Sequence, residues 1–177
     1  MRATSLTVAA LAAALLLTGC DGGNDTADAD SGKESKAASA CADQLAVEFG
    51  PANAAPAAGD TGNVPVTVTN RSGAKCVLDG LPGVELDAGD TVATVAPDEA
   101  AATGKTTLAK EASTSFTLTY VRGEGGGTKS LAVKSVKISL PGAAEPHSFK
   151  WSYGDIALKS DGQTPDASVT GFQQSGD

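Results

Sequence analysis

Phe116-Thr117-Leu118-Thr119-Tyr120 sets three large apolar side chains on alternate positions with threonine between them. A period of two is the signature of a β-strand with one buried and one wetter face. Threonine suits the outer positions, because its branched Cβ favours extended backbone. The same alternation recurs on both sides of this stretch. Leu45, Val47 and Phe49 alternate with Gln44, Ala46 and Glu48, and Val64, Val66 and Val68 alternate with Pro65, Thr67 and Thr69. Further on, Val136, Ile138 and Leu140 alternate with Lys137 and Ser139, and Phe149, Trp151 and Tyr153 with Lys150 and Ser152. Shorter strands are expected over residues 75–79, 83–87, 91–96 and 106–109.

Turn signals separate these runs. They are Asn70-Arg71-Ser72-Gly73, Leu81-Pro82-Gly83, Asp87-Ala88-Gly89-Asp90, residues 122–127 and Pro141-Gly142. No window has the spacing of an amphipathic helix. Several short strands with one apolar face each must bury those faces against one another, which two packed sheets accomplish. The expected fold is therefore all-β, an immunoglobulin-like β-sandwich with Greek-key connections. A small closed barrel is the alternative. The domain is expected over residues 41–158. Residues 159–177 turn polar and Gly-rich, and are expected either to supply a short last strand around Val169 and Phe172 or to form a frayed tail.

The N-terminus carries different information. Arg2 precedes an apolar run from Leu6 to Leu17. That run is shorter than the ~20 residues a membrane-spanning helix needs, and it ends in small residues rather than a basic cluster. Leu17-Thr18-Gly19-Cys20 resembles a bacterial lipobox. The resemblance implies cleavage after Gly19 and a diacylglyceryl thioether on Cys20, so that residues 1–19 are a lipoprotein signal peptide. Two or three acyl chains anchor stably where one binds reversibly, since each buried methylene contributes about 0.8 kcal/mol. The expected location is the extracytoplasmic face of the cell membrane, with the membrane itself as a partner through the covalent lipid. Residues 21–40 hold Asp, Gly, Ser, Ala, Lys and Thr with no Leu, Ile, Val or aromatic residue. Such a segment has no core to bury and is expected to be a disordered tether. As a flexible coil it would reach ~25 Å.

Composition narrows the function classes. The 177-residue chain is 19% charged with a formal net charge of −8, which disfavours nucleic acid as a partner because phosphates select basic surfaces. Of three cysteines, Cys41 and Cys76 remain once Cys20 goes to lipid. An even pair in an oxidising compartment reads as a disulfide. Two free buried thiols or a metal site are the alternatives, and the metal site lacks partners because His147 is the only histidine. A disulfide closing this loop would stabilise the fold by about 4 kcal/mol in the chain-entropy treatment.

The run Cys76-Val77-Leu78-Asp79-Gly80-Leu81-Pro82-Gly83-Val84, with Thr69-Asn70 before it, resembles the bacterial extracellular family known as domain of unknown function 4232. The matching positions are Asn70, Cys76, Leu78, Gly80, Pro82 and Val84, with Leu81 where an aromatic is frequent. The resemblance implies an immunoglobulin-like sandwich, a Cys41–Cys76 disulfide and no established activity. Read from the residues, the motif is structural. Gly80 and Gly83 permit backbone angles that other residues avoid, and Pro82 fixes a turn.

Catalytic motifs are missing. His147, in Glu145-Pro146-His147-Ser148, has no arranged serine and carboxylate around it in the sequence. Asp87 with Asp90, and Asp98 with Glu99, sit in turn-like segments without an aromatic platform for a sugar. The Gly-rich run 122–127 lacks the lysine and the following helix of a phosphate loop. The chain is thus read as non-enzymatic, with no metal and no cofactor. The leading expectation is a cell-envelope interaction module. A small-ligand or cell-wall glycan binder comes next, and a hydrolase last.

Overall fold

The structure, a computed structural model, describes residues 41–174. Cys20 and the segments read as signal peptide and tether lie outside the described residues. Strands in chain order are β1 Leu45–Phe49, β2 Thr61–Asn70, β3 Cys76–Asp79, β4 Gly83–Asp87, β5 Val92–Thr94, β6 Ala96–Pro97 and β7 Lys105–Leu108. They continue with β8 Ser113–Val121, β9 Ser130–Leu131, β10 Ser135–Ser139, β11 His147–Lys150, β12 Ile156–Ala157, β13 Ala167–Val169 and β14 Gln173–Gln174.

One sheet has the order β1-β2-β8-β13-β6, with β14 also on β8, and the other has the order β11-β10-β4-β5. Two short ribbons, β3 with β7 and β9 with β12, complete the pairing. The main sheets end in free strands and do not close on themselves, so the fold is the sandwich rather than the barrel. The chain passes from one sheet to the other and back several times, as Greek-key connections require.

The alternation read from the sequence determines which side faces inward. On β2, Val64, Val66 and Val68 are fully buried, and on β8 so are Phe116, Leu118 and Tyr120. Val84 and Leu86 of β4 and Val136 and Ile138 of β10 meet them from the second sheet. Each such side chain contributes about 1.5–3 kcal/mol through removal from water. The opposite face of β2 and β8 carries Asn63, Thr67, Thr69, Ser113, Thr117 and Thr119, all half-buried. Cross-strand hydroxyl contacts tie it together, Thr69 Oγ1 to Ser113 Oγ at 2.9 Å and Thr119 Oγ1 to Asn63 Oδ1 at 2.9 Å.

β2 and β8 pair antiparallel from Thr61↔Val121 to Thr69↔Ser113. Within this pairing Gly62 lies opposite Tyr120, and a β-carbon at position 62 would enter the Tyr120 ring. The ring needs that space because its hydroxyl is also fixed, accepting the Ala55 N–H at 3.2 Å and donating to the Tyr153 carbonyl at 3.4 Å. Gly62→Ala is therefore expected to destabilise the fold by about 2 kcal/mol through overpacking. Gly62→Ala combined with Tyr120→Leu should destabilise by less than the sum of the two single changes. Urea unfolding of the four proteins reads this coupling.

Three details differ from the sequence reading. Residues 91–96 are not one strand: β5 belongs to one sheet and β6 to the other, with buried Val95 at the crossing. The strand expected through Tyr153 stops at Lys150. The indole N–H of the largely buried Trp151 needs an acceptor, and the chain bends so that Gly154 O supplies one at 2.6 Å. Finally, the sheet does not end at residue 158. β13 sits against β8 from Ala167↔Tyr120 to Val169↔Leu118, and β14 follows with Gln173↔Ser115. The register slips by one residue between them, a β-bulge, and Thr170 Oγ1 accepts the Thr117 N–H at 3.0 Å in the gap. Of the two expectations for residues 159–177 the structure takes the last strand, and β13 lies between β8 and β6 within the sheet, beyond the expected domain end at 158.

Candidate functional site

The sandwich has two unlike ends. At the first, where β2 finishes, Cys41 is joined to Cys76 with 5.6 Å between the α-carbons. Asn70 is wholly buried beside this link. Its amide nitrogen lies 2.8 Å from Ala74 O, 3.1 Å from Leu108 O and 3.0 Å from Ala109 O. Its side-chain oxygen accepts the Ser72 N–H at 2.9 Å and the Ser72 hydroxyl at 2.6 Å. Asparagine is the residue for this place, since it offers donors and an acceptor on one short, uncharged stem. It holds the turn after β2 against the turn after β7.

The rest of the motif is also accounted for by packing. Cys76, Leu78 and Val84 are core residues, and Pro82 is buried between β3 and β4. Gly80 has a φ of 120°, a conformation that glycine alone adopts without strain, and its N–H reaches Gly104 O at 3.2 Å. Leu81 lies half-buried, beside Gly171.

The remaining sequence candidates are separate from one another. His147 sits half-buried on β11 opposite Ile138 and makes no hydrogen bond to a serine or carboxylate among the described residues. Asp98 Oδ1 accepts the Ala100 N–H at 2.8 Å, as a turn residue does. Asp87 accepts the Gly89 N–H at 2.8 Å and faces Lys137 Nζ at 3.3 Å. The backbone N–H and then the lysine hold its pKa below the ordinary carboxylate value. Among the described residues no group of three or more His, Cys, Asp or Glu is placed to hold a metal ion. Phe49 and Phe149 stack at 4.4 Å and pack against the core from the two edge strands β1 and β11.

Two clefts lie at the second end, where β2 starts and β8 finishes. One, of about 460 Å³, is bounded by Arg122, Glu124, Lys129, Ser130 and Leu158. Arg122 is committed elsewhere, donating to Ala55 O at 2.8 Å and Pro56 O at 3.0 Å. The loop beyond it is braced by Gly126 N–H on Asp155 Oδ2 at 2.9 Å. The second, of about 560 Å³, runs between β5 and the turn at 162–165, with Leu131 and Leu158 in its lining. Leu158 borders both.

That turn is built by Asp161, which accepts the N–H groups of Gln163 and Thr164, each at 2.8 Å, and the Thr164 hydroxyl. The hydroxyl first and the two N–H groups next lower its pKa from 3.8 to about 2. Bonds to the charged form favour it in the folded protein, so this contribution is present above pH 4 and is lost as the pH falls through 2. Asp161→Asn should flatten the decline in stability over that window, as urea midpoints at pH 7 and pH 2 will read. Neither this turn nor the groove was read from the sequence. The Asp161-Gly162 pair is a turn signal, but nothing local shows which strand it will face.

The sequence profile of one protein family, described as Domain of unknown function (DUF4232), matches residues 41–173. The chain belongs to that family. The match runs through β13 to the start of β14, so the DUF4232 unit coincides with the sandwich and reaches its last strand. No curated protein and no solved structure matches the chain.

Proposed function

We propose that this DUF4232 protein is a lipoprotein held at the extracytoplasmic face of the cell membrane, whose sandwich is a non-catalytic interaction module of the cell envelope. The anchor rests on Leu17-Thr18-Gly19-Cys20 following an apolar run of signal-peptide length. The observation that carries the binding role is polarity of the domain. The chain enters at Cys41, beside Cys76 and Asn70, while both clefts lie at the far end, around Arg122 and Leu158. A tether attached at one end presents the other end outward. A glycan-binding role is less supported, because the ring contacts of Trp151 and Tyr153 turn toward Tyr120 rather than forming an outer platform.

Two measurements test this. Cys20→Ala should leave the precursor uncut or free the protein from membranes, and unchanged processing and anchoring would refute the lipid anchor. Surface crosslinking on intact cells followed by capture, with the Cys20→Ala form as control, should yield one reproducible envelope protein. Retention on purified cell wall with no protein partner would instead assign a glycan ligand.

A further inference from the structure

The edge of β5 has a different character from the rest of the surface. Val92, 53% exposed, is the exposed large hydrophobic side chain among the described residues, and it borders the 560 Å³ groove. β5 pairs with β4 on one side only. The register is Glu85↔Thr94, Leu86↔Ala93 and Asp87↔Val92, and it continues with Val95 N–H on Val84 O at 2.9 Å and Ala88 N–H on Thr91 O at 2.9 Å. In an antiparallel pair, bonded and non-bonded positions alternate. Positions 91, 93 and 95 therefore face β4, and the N–H and C=O groups of Val92 and Thr94 turn outward, toward the groove.

None of the residues lining this groove is charged, in a chain that is 19% charged. A charged occupant would lose hydration there without gaining a partner, whereas a neutral one would not. A free strand edge offers alternating donors and acceptors at the spacing of another backbone. We propose that the groove beside β5 binds a neutral, extended peptide segment of a partner protein as an added strand, with an apolar side chain of that segment on Val92. This rests on the reading of the domain as an interaction module and names the class of partner.

The probe is a phage-displayed random heptapeptide library panned on the intact protein. Enriched peptides should be uncharged, with apolar residues on alternate positions. Bound peptide should slow hydrogen exchange at the Val92 and Thr94 amides by about tenfold or more, as strand addition does. Thr94→Pro removes an outward N–H that β4 does not use and should weaken binding by about tenfold. Val92→Lys, which leaves the backbone intact, should do the same.

Three results would overturn the assignment to this groove: no enrichment, protection at another edge such as β1 or β11, or affinity unchanged in both variants. So would a dimer in sedimentation that Thr94→Pro dissolves, since the edge would then belong to a second copy. An envelope partner captured equally by wild type and both variants would sink the groove and leave the interaction module standing. Loss of capture altogether would sink the module.

Discussion

Asn70→Ala will lower the free energy of unfolding by about 3 kcal/mol, because it strips partners from buried backbone groups rather than removing surface contacts. The side chain is fully buried and engages Ala74, Leu108, Ala109 and Ser72 together. The buried Ser72 N–H loses its acceptor, and the Ala74, Leu108 and Ala109 carbonyls lose the donor they share. Asn70→Asp should be worse than alanine at neutral pH. It replaces the donating amide by a negative oxygen facing carbonyl oxygens, and burial of an unpaired charge is unfavourable. Urea unfolding at pH 7 reads both. If alanine lowers stability by less than about 1 kcal/mol, water is replacing the amide and the hub is not what holds the two turns together.

Replacing both Cys41 and Cys76 by alanine is expected to lower stability by about 4 kcal/mol, since the link closes a loop with a sequence separation of 35. The loss should appear as a lower unfolding midpoint and a steeper denaturant slope, because the unfolded chain becomes more open and exposes more surface. Mild reduction of the native protein should reproduce the shift. Asn70 adjoins the same region, so its alanine variant and the double cysteine variant are close enough to couple. Their combination should depart from additivity, while Asp161→Asn, at the other end, should add.

Much of the architecture was legible because the sandwich makes each long strand two-faced. The alternation in β2 and β8 follows from one face meeting the second sheet and the other meeting water, and it marked Val64, Val66, Val68, Phe116, Leu118 and Tyr120 as core before any pairing was known. Turn chemistry was local as well: Asp87 and Gly89 interact across a two-residue gap. What stayed hidden is relational. Nothing in residues 61–70 points to residues 113–121 as the neighbour, and Gly62 acquires its meaning only once Tyr120 stands opposite. β9 and β12 are two residues each, too short for any period to show. The groove beside β5 is harder still to foresee, since it depends on a strand edge that no other described strand pairs with.

The motif around Asn70 and Cys76 was legible as a pattern, and its role in packing became clear only with the carbonyls of the turn after β7 in view. The same arrangement explains how this region can be distinctive in sequence while the two clefts described lie at the other end. It meets the geometric demands of a buried amide, a positive φ at Gly80 and a cross-link, each of which admits few residue types.

Because Cys41 is both the entry to the domain and one half of a covalent bond, the domain has an unusual response to tension. A pull on the chain N-terminal to Cys41 divides between β1 and, through the sulfurs, β3. The edge strand β1 cannot be drawn out alone, and even complete unravelling leaves the segment from Cys41 to Cys76 as a closed loop that contributes no length. Under reducing conditions the same pull would release a further ~120 Å of chain, at ~3.5 Å for each of the 35 residue steps. The disulfide thus sets the reach of the protein under load as well as its stability at rest.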